Sequence, residues 1–339
     1  GSVVCEQLSA LPRITIVHDV ADIVGWSSSI AIGTDGFPVL AYLNLSSSSL
    51  IFAKCYDPAC EESTRYAIDG PPAISGVSAP SVTIDPSGRA VIAYVADGNL
   101  KVARCNDANC ASRSVYTVDN PIHLVSQPSI AIGNDGLPVI AYRDSDAESL
   151  TVAKCNDAAC APLGEVITTV YDPDNRLGES VDLAIGGDGL PVISLHDETE
   201  YQLLLVRCND AACAPGGEAV VVVDGDFGSG FGNAIAISPD GFPVISYGGP
   251  DHSIRVAKCL NADCSVGTKT TIDDLEDDLL ETDIAIGADG WPVIVYFNWT
   301  RNAVKVAKCN EETCSGGDVI RTVIERSTVD VWRGLALAI

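Results

Sequence analysis

The chain has 339 residues, of which 47% are hydrophobic, 20 are basic and 46 are acidic. A chain of this size and composition buries a substantial core, which excludes a disordered polymer. Its net charge of -26 opposes phosphate backbones and anionic membranes, so nucleic acid is excluded as a partner. No apolar run reaches the roughly 20 residues that cross a bilayer. We therefore expect no transmembrane segment. Because methionine is absent even at position 1, we expect a processed chain from which the initiator has been removed.

One sequence unit recurs six times along the chain. Its first copy runs from Ser29 through an Asp-Gly turn to Tyr42, and continues from Leu50 to Cys60. The first apolar strand restarts at Ile30, Val82, Ile130, Leu183, Ile235 and Ile284. A period of about fifty residues is typical of propeller blades and of solenoids, so the period alone does not choose between them.

Each unit predicts four short strands, and the third copy illustrates the pattern. The strand that starts at Ser129 leads into a tight turn whose Asp and Gly tolerate positive φ. Pro138 then opens a strand that is apolar on both faces, as expected between neighbouring sheets. Residues 150–155 and 165–170 alternate as third and fourth strands. Such repeated meanders predict one β-propeller domain, with repeats at 29–80, 81–128, 129–180, 181–232, 233–281 and 282–327.

The pattern of strand, Asp-Gly turn and strand resembles NHL-type propeller repeats. The whole unit is similar to the highly repetitive propellers of bacterial secreted proteins, and the resemblance covers nearly the whole chain. The turns also resemble the Asp-box of sialidase-type propellers, but residues 238–243 lack the downstream Gly and Trp of that box. The resemblance therefore implies the propeller fold, and it carries no catalytic residue over to this chain.

All but one of the 13 cysteines form six pairs with identical Cys-x4-Cys spacing. The pairs are Cys55–Cys60, Cys105–Cys110, Cys155–Cys160, Cys208–Cys213, Cys259–Cys264 and Cys309–Cys314. Each pair brackets a turn between the predicted third and fourth strands, so we predict six hairpin disulfides. Zinc is the alternative, but the histidines follow no ligand spacing, and we predict no metal site. Six disulfides predict a secreted or cell-surface protein.

Cys5 has no counterpart, and we expect it to be unpaired or to form an intermolecular bond. Residues 12–19 match the end of a repeat and residues 334–339 match the start of one, with Leu335 aligned to Ile30. These terminal strands predict a partial seventh blade split between the two termini. The sequence leaves four alternatives open: six closed blades with extra edges, an open seam, a clipped longer array, or completion by a neighbouring molecule.

Two surfaces and the seam contain candidate interaction residues. The first-turn tips that bear a large apolar residue are Phe37, Leu137, Leu190, Phe242 and Trp291. They predict a contact face, unless each side chain covers its own hairpin or packs on the next blade. Trp26 and Trp332 flank the seam, where they would cap it or dock another subunit. On the opposite face, Asn44 and Asn298 lie in Asn-x-Ser/Thr sequons, which carry glycans in a host that glycosylates.

Catalytic and cofactor motifs are missing from the sequence. It contains no Gly-x-Ser-x-Gly, no His-Glu-x-x-His and no phosphate-binding loop. Because the repeats are regular and an active site needs asymmetry, we predict that the chain is not an enzyme. We expect no cofactor; the acidic residues 273–281 are the candidate for calcium, but they lack the alternating spacing of a calcium loop.

The predicted function is that of an extracellular structural or interaction protein. Its partners would be copies of itself, joined through the terminal strands into a cell-surface assembly or filament. A glycan-binding or adhesive module that recognises glycans or surface proteins is the first alternative. A propeller glycoside hydrolase that uses rim carboxylates is the second.

Overall fold

The computed structural model describes residues 15–18, 24–69, 80–120, 125–145, 147–162, 164–172, 176–274, 279–298, 301–324 and 334–339. The strands in these residues form six antiparallel sheets, and each sheet is a meander of four consecutive strands. The first strands of successive sheets contact one another, so they line the centre of a ring and the fourth strands form its rim. The prediction of a β-propeller with six four-stranded blades is confirmed.

The blades follow the chain in order. Blades 1 and 2 contain β1 (Val24–Ile32), β2 (Pro38–Asn44), β3 (Ser49–Cys55), β4 (Ser63–Asp69), β5 (Ser81–Ile84), β6 (Ala90–Ala96), β7 (Asn99–Cys105) and β8 (Arg113–Asp119). Blades 3 and 4 contain β9 (Val125–Ile132), β10 (Pro138–Asp144), β11 (Ser149–Lys154), β12 (Val166–Tyr171), β13 (Leu177–Ile185), β14 (Pro191–Asp197), β15 (Gln202–Arg207) and β16 (Ala219–Asp224). Blades 5 and 6 contain β17 (Phe231–Ile237), β18 (Pro243–Gly248), β19 (Ser253–Cys259), β20 (Gly267–Asp274), β21 (Leu279–Ile286), β22 (Pro292–Asn298), β23 (Ala303–Lys308) and β24 (Val319–Ile324), with a short 3-10 helix at Pro250–His252.

The hydrophobic core is divided among the interfaces between neighbouring blades. Every residue of β2, β6 and β14 is buried, because both faces of a second strand pack against an adjacent sheet. The largest buried side chains include Tyr94, Tyr142, Tyr247 and Tyr296, which come from the second strands of four blades. The predicted apolar second strands therefore lie where the sequence pattern requires.

A repeated hydrogen bond joins the rim of a blade to the next blade at four of the blade interfaces. The hydroxyl of Tyr94 donates to Asp69 at 2.9 Å, although Asp69 ends the fourth strand of the preceding blade. The same pairing recurs in Tyr142–Asp119, Tyr247–Asp224 and Tyr296–Asp273, at 2.6, 2.8 and 2.7 Å. A buried hydroxyl and a carboxylate thus satisfy each other across four of the blade interfaces.

The inner strands are joined by side chains that accept backbone N–H groups from the next blade. Asp182 accepts from the backbone N–H of Ile235 at 2.8 Å. Asp283 in the same register of blade 6 accepts from the N–H of Leu337 at 2.5 Å. Leu337 therefore occupies the position of the first apolar residue of a blade, and the predicted alignment of Leu335 with that position is wrong by two residues.

The described parts of the terminal segments, residues 15–18 and 334–339, contact the first and last blades without forming strands. In residues 334–339 the carbonyl of Gly334 accepts from Ser28 of blade 1 at 2.7 Å. In residues 15–18 the carbonyl of Val17 accepts from Arg65 at 3.0 Å, and His18 contacts the Tyr42 hydroxyl at 2.9 Å. The partial seventh blade stays a prediction, and Cys5, Trp332 and the side chain of Trp26 lie outside the described residues.

Candidate functional site

The first and third turns of a meander lie at one end of each blade, and an ion pair stabilises this face in every blade. In each blade the aspartate of the first turn contacts a cation of the third strand. The pairs are Lys54–Asp35, Arg104–Asp85, Lys154–Asp135, Arg207–Asp188, Lys258–Asp240 and Lys308–Asp289. Lys258 is fully buried, and its ammonium also donates to the carbonyl of Cys259. These charges are engaged in closing the hairpins.

The predicted apolar contact residues on this face partly cover their own hairpins. Phe37, Leu137, Leu190, Phe242 and Trp291 are all half-buried. The ammonium of Lys54 lies 5.7 Å from the centre of the Phe37 ring, and that of Lys258 lies 5.6 Å from the Phe242 ring. A role of this ring of side chains in binding a partner stays a prediction.

The six predicted disulfides are confirmed. Each joins the two cysteines of one Cys-x4-Cys segment, with Cα–Cα distances from 4.6 to 5.0 Å. They close the turn between the third and fourth strands of every blade. Disulfides in this number are consistent with an extracellular or secreted protein.

The two sequons lie at the opposite end of the blades, and both asparagines are buried. The Asn44 side-chain oxygen accepts from the Ser47 N–H at 3.0 Å, and that of Asn298 accepts from the Arg301 N–H at 2.9 Å. Each asparagine thus closes the second turn of its blade, as Asx residues do. Burial of both side chains argues against a glycan on either.

An aromatic cluster lies on this opposite face, where blade 4 meets blade 5. It consists of His196, Tyr201, Phe227 and Phe231. His196 comes from β14, Tyr201 from the second turn of blade 4, Phe227 from the segment between β16 and β17, and Phe231 from the start of β17. Among the five segments that connect successive blades, the one at 225–230 alone contains phenylalanine.

The four rings contact one another in a chain that runs from the buried interior to the solvent. The His196 and Phe231 ring centres are 4.1 Å apart, and those of Tyr201 and Phe227 are 4.8 Å apart. Tyr201 also lies 6.1 Å from both His196 and Phe231. Phe227 is 73% exposed and Phe231 is 40% exposed, whereas His196 is 2% exposed. Exposed aromatic rings of this kind are typical of a binding surface.

The segment before Phe231 is held in place by the blade 4 turn. The N–H groups of Gly228 and Ser229 both donate to the Tyr201 carbonyl at 2.9 Å. Gly230 has φ of 103°, and a Cβ there would lie 2.9 Å from the Gln202 carbonyl oxygen and 3.1 Å from the His196 ring. Because only glycine fits this conformation and this space, Gly230 allows the chain to pass over His196.

Two buried polar atoms beneath the exposed rings have no hydrogen-bond partner among the described residues. They are Nε2 of His196 and Oγ of Ser229. Burial lowers the pKa of His196 to about 4, with the nearby Asp197 acting in the opposite direction, so the imidazole is neutral near pH 7. Both atoms are inaccessible to solvent, so they lie inside the junction of the two blades and not at its exposed surface.

Charged groups surround the cluster, and the described cations among them are paired. Arg255 contacts Asp224 at 2.9 Å and Asp226 at 2.8 Å. Lys269 contacts Asp224 at 2.7 Å. Burial alone would raise the pKa of Asp224, but hydrogen bonds from Lys269, Tyr247 and Arg255 hold it below its usual range. Asp224 thus stays ionised at neutral pH.

Sequence reasoning did not find this cluster. Its four aromatic residues follow no repeat period. Tyr201 lies in a turn, Phe227 in the segment between two blades and Phe231 at the start of a strand. The available signal was the segment 225–231, which contains two phenylalanines among small residues. An apolar aromatic residue in a solvated Gly-rich link indicates either packing or binding, and only the structure distinguishes the two.

A second group of carboxylates, on the inner strands, is already engaged. The oxygens of Asp182 and Asp283 all accept hydrogen bonds from the protein itself. Burial raises the pKa of Asp283 to about 8, and the nearby Asp182 adds to this effect. These carboxylates connect neighbouring blades. In the part of the chain that the structure describes, no cluster of three or more His, Cys, Asp or Glu is arranged to hold a metal ion, and no helix is long and apolar enough to span a membrane.

Comparison with known proteins supports the fold. No family model matches the chain, and no curated protein matches it. A solved structure of an unknown function protein from Dyadobacter fermentans is 14% identical, with a TM-score of 0.58, covering 89% of this chain and 97% of that one. A mutant of AofleA from Arthrobotrys oligospora is 12% identical, with a TM-score of 0.57, covering 93% and 94% of the two chains. The NHL resemblance is not supported beyond the propeller fold.

The comparisons also correct one prediction. A leech intramolecular trans-sialidase is 11% identical, with a TM-score of 0.58 over 86% of this chain and 67% of that one. A fold similar to that of this chain therefore occurs in an enzyme. The prediction that this chain is not an enzyme was wrong, because it treated regular blades as evidence against an active site. An identity this low shows the fold alone, and enzymatic function is not established for this chain.

Proposed function

We propose that the protein is an extracellular carbohydrate-binding propeller whose binding surface is the aromatic cluster between blades 4 and 5. The observation that carries the proposal is the exposed pair of rings, Phe227 and Phe231, at the junction of blades 4 and 5. A sugar ring presents C–H groups on its faces and hydroxyls around its edge. Aromatic rings pack against the C–H faces, and the exposed carboxylates of Glu200 and Asp226 can accept hydrogen bonds from the hydroxyls.

The shape of the surface favours a sugar over a wholly apolar ligand. An apolar ligand such as a lipid gains most binding free energy in a closed apolar cavity. Phe227, in contrast, is 73% exposed at the surface. A sugar also offers hydroxyls to the exposed carboxylates of Glu200 and Asp226, which an apolar ligand would desolvate without a hydrogen bond. The disulfide-bonded fold suits the extracellular setting in which such ligands occur.

Self-assembly through the termini has less support than carbohydrate binding. The described parts of both terminal segments bond to blades 1 and 6 of their own chain. These described residues are engaged within their own chain. Assembly into a filament therefore stays a prediction.

The test is a glycan array followed by titration calorimetry with the best glycan on the array. Phe227→Ala should weaken binding about tenfold, because an aromatic contact contributes roughly 1 kcal/mol beyond its area. The exposed side chain contributes little to folding, so the circular dichroism spectrum and the unfolding midpoint should stay close to those of the wild type.

The matched control is Val266→Ala, which truncates a residue that is 56% exposed at the opposite end of blade 5. It should leave glycan affinity unchanged. The proposal is overturned if no glycan on the array binds, or if Phe227→Ala binds as well as the wild type.

A further inference from the structure

The charges beside the aromatic cluster are unequal in number. Carboxylates flank it in the second turn of blade 4 and in the following link, at Asp197, Glu198, Glu200, Asp224 and Asp226. The cations are Arg176, Arg255 and Lys269. Arg176 contacts Glu198 at 3.7 Å, and the other two are paired with Asp224 or Asp226. Each of these cations therefore has a carboxylate partner.

The two remaining carboxylates, Asp197 and Glu200, lie in the turn that leads to Tyr201. Asp197 is buried and accepts from the N–H groups of Thr199 and Glu200 at 2.9 and 3.1 Å, so it closes the turn that carries the Tyr201 ring. Glu200 is exposed next to Tyr201. Neither has a cation partner among the ion pairs of the described residues. A ligand at the cluster thus meets net negative charge.

We infer that this site, if the proposed carbohydrate binding holds, takes a neutral sugar and rejects sugars that carry a carboxylate. The inference depends on the proposed function and adds its substrate class. A bound uronate or sialate would need a free cation at the rings. To gain one it would have to compete with Asp224 or Asp226 for Arg255, or with Glu198 for Arg176. The desolvated anion would otherwise lie near carboxylates, which costs affinity.

The His196 imidazole fits this selectivity. Its ring centre lies 4.1 Å from that of Phe231, and the imidazole is neutral at physiological pH. A neutral imidazole next to the binding surface offers no counter-charge to an anion.

The expected selectivity is moderate and depends on salt. Two excess negative charges near a bound carboxylate, in a solvent-exposed setting, weaken its binding by about tenfold. Screening shortens the range of this repulsion, so high salt should narrow the difference. A difference that comes from shape alone would not respond to salt.

The experiment compares three glycans of identical linkage on the wild-type protein. One ends in a hexose, one in the corresponding hexuronic acid, and one in the methyl ester of that acid. We expect the hexose to bind, the uronate to bind at least about tenfold more weakly at low salt, and the ester to recover most of the affinity. The ester separates the electrostatic effect of the carboxyl group from its steric effect, because the ester has no charge but is at least as large as the carboxylate.

Two variants locate the effect. Glu200→Gln removes an exposed charge next to Tyr201 and should improve uronate binding relative to hexose binding. Glu62→Gln removes an exposed charge in the disulfide turn of blade 1, far from the cluster. It should change neither the uronate affinity nor the hexose affinity. If the uronate binds as well as the hexose, the inference is wrong and the proposed function stands. If none of the three glycans binds, and no other glycan does, the proposed function itself has failed.

Discussion

Replacement of Asp224 by asparagine tests how much one rim carboxylate contributes to joining blades 4 and 5. Asp224 is fully buried and ends β16. It accepts from Tyr247 at 2.8 Å, from Arg255 at 2.9 Å and from Lys269 at 2.7 Å. An asparagine has one acceptor oxygen and no charge, so its amide NH2 would face at least one of these donors.

The expected loss in the free energy of unfolding depends on which hydrogen-bond partners Arg255 and Lys269 retain. Removing one partner of a buried charge pair costs about 3 to 5 kcal/mol. Arg255 retains Asp226, and the Lys269 side chain is 40% exposed and can be solvated, so the lower end applies. For 339 residues the unfolding entropy is about 0.7 kcal/mol/K, so a loss of about 3 kcal/mol lowers the midpoint by about 4 °C.

Calorimetry and urea unfolding would measure this loss, with Asp226→Asn as the matched control. The Asp226 side chain is 56% exposed and shares only Arg255, so its loss should cost well under 1 kcal/mol. Because hydrogen bonds and ion pairs hold the pKa of Asp224 below its usual range, its stabilisation is present at neutral pH and is lost as the pH falls through the folded-state pKa. The gap between wild type and Asp224→Asn should therefore narrow in acid. An Asp224→Asn protein as stable as wild type at pH 7, or a gap that persists in acid, would refute this reasoning.

Three further predictions concern the ring, the disulfides and the sequons. Burial raises the pKa of Asp283 to about 8, so the native state binds this proton more tightly than the unfolded state does. The free energy of unfolding should therefore fall as the pH rises from about 4 to about 8. Asp283→Ser should flatten this pH dependence of the thermal unfolding midpoint, and an unchanged profile would contradict the prediction. Replacement of Cys155 and Cys160 by serine should cost about 2 kcal/mol in denaturant unfolding, whereas no loss would mean that the disulfide adds nothing to this hairpin. Expression in a glycosylating host should leave Asn44 and Asn298 unmodified because both are buried, and a mass shift on enzymatic deglycosylation would contradict that.

The features that sequence reasoning predicted correctly are those that depend on local spacing. The six Cys-x4-Cys pairs close short turns, so their identical spacing is enough to pair them. The apolar second strands and the Asp-Gly turns repeat with the blade, and hydrogen bonding within a meander joins neighbours in sequence. The period of the repeat and the fold class therefore follow from the chain alone.

Contacts between blades could not be predicted from the sequence and became evident only in the structure. The Tyr247–Asp224 bond joins residues 23 positions apart in two different sheets, and its two members are ordinary residues in the sequence. The position of Leu337 was likewise decided by its bond to Asp283, because the apolar alternation of residues 334–339 allows a shift of two residues.

The aromatic cluster depended on the tertiary structure most of all. His196 and Phe231 are 35 residues apart, and their rings are 4.1 Å apart because adjacent blades place a second strand beside the next inner strand. The sequence determined six disulfide-bonded blades, since periodic hydrogen bonding and short turns are local. Only the packing of the blades around the ring decided which non-periodic side chains meet and which of them remain exposed, because those contacts are set by the closure of the whole sheet array.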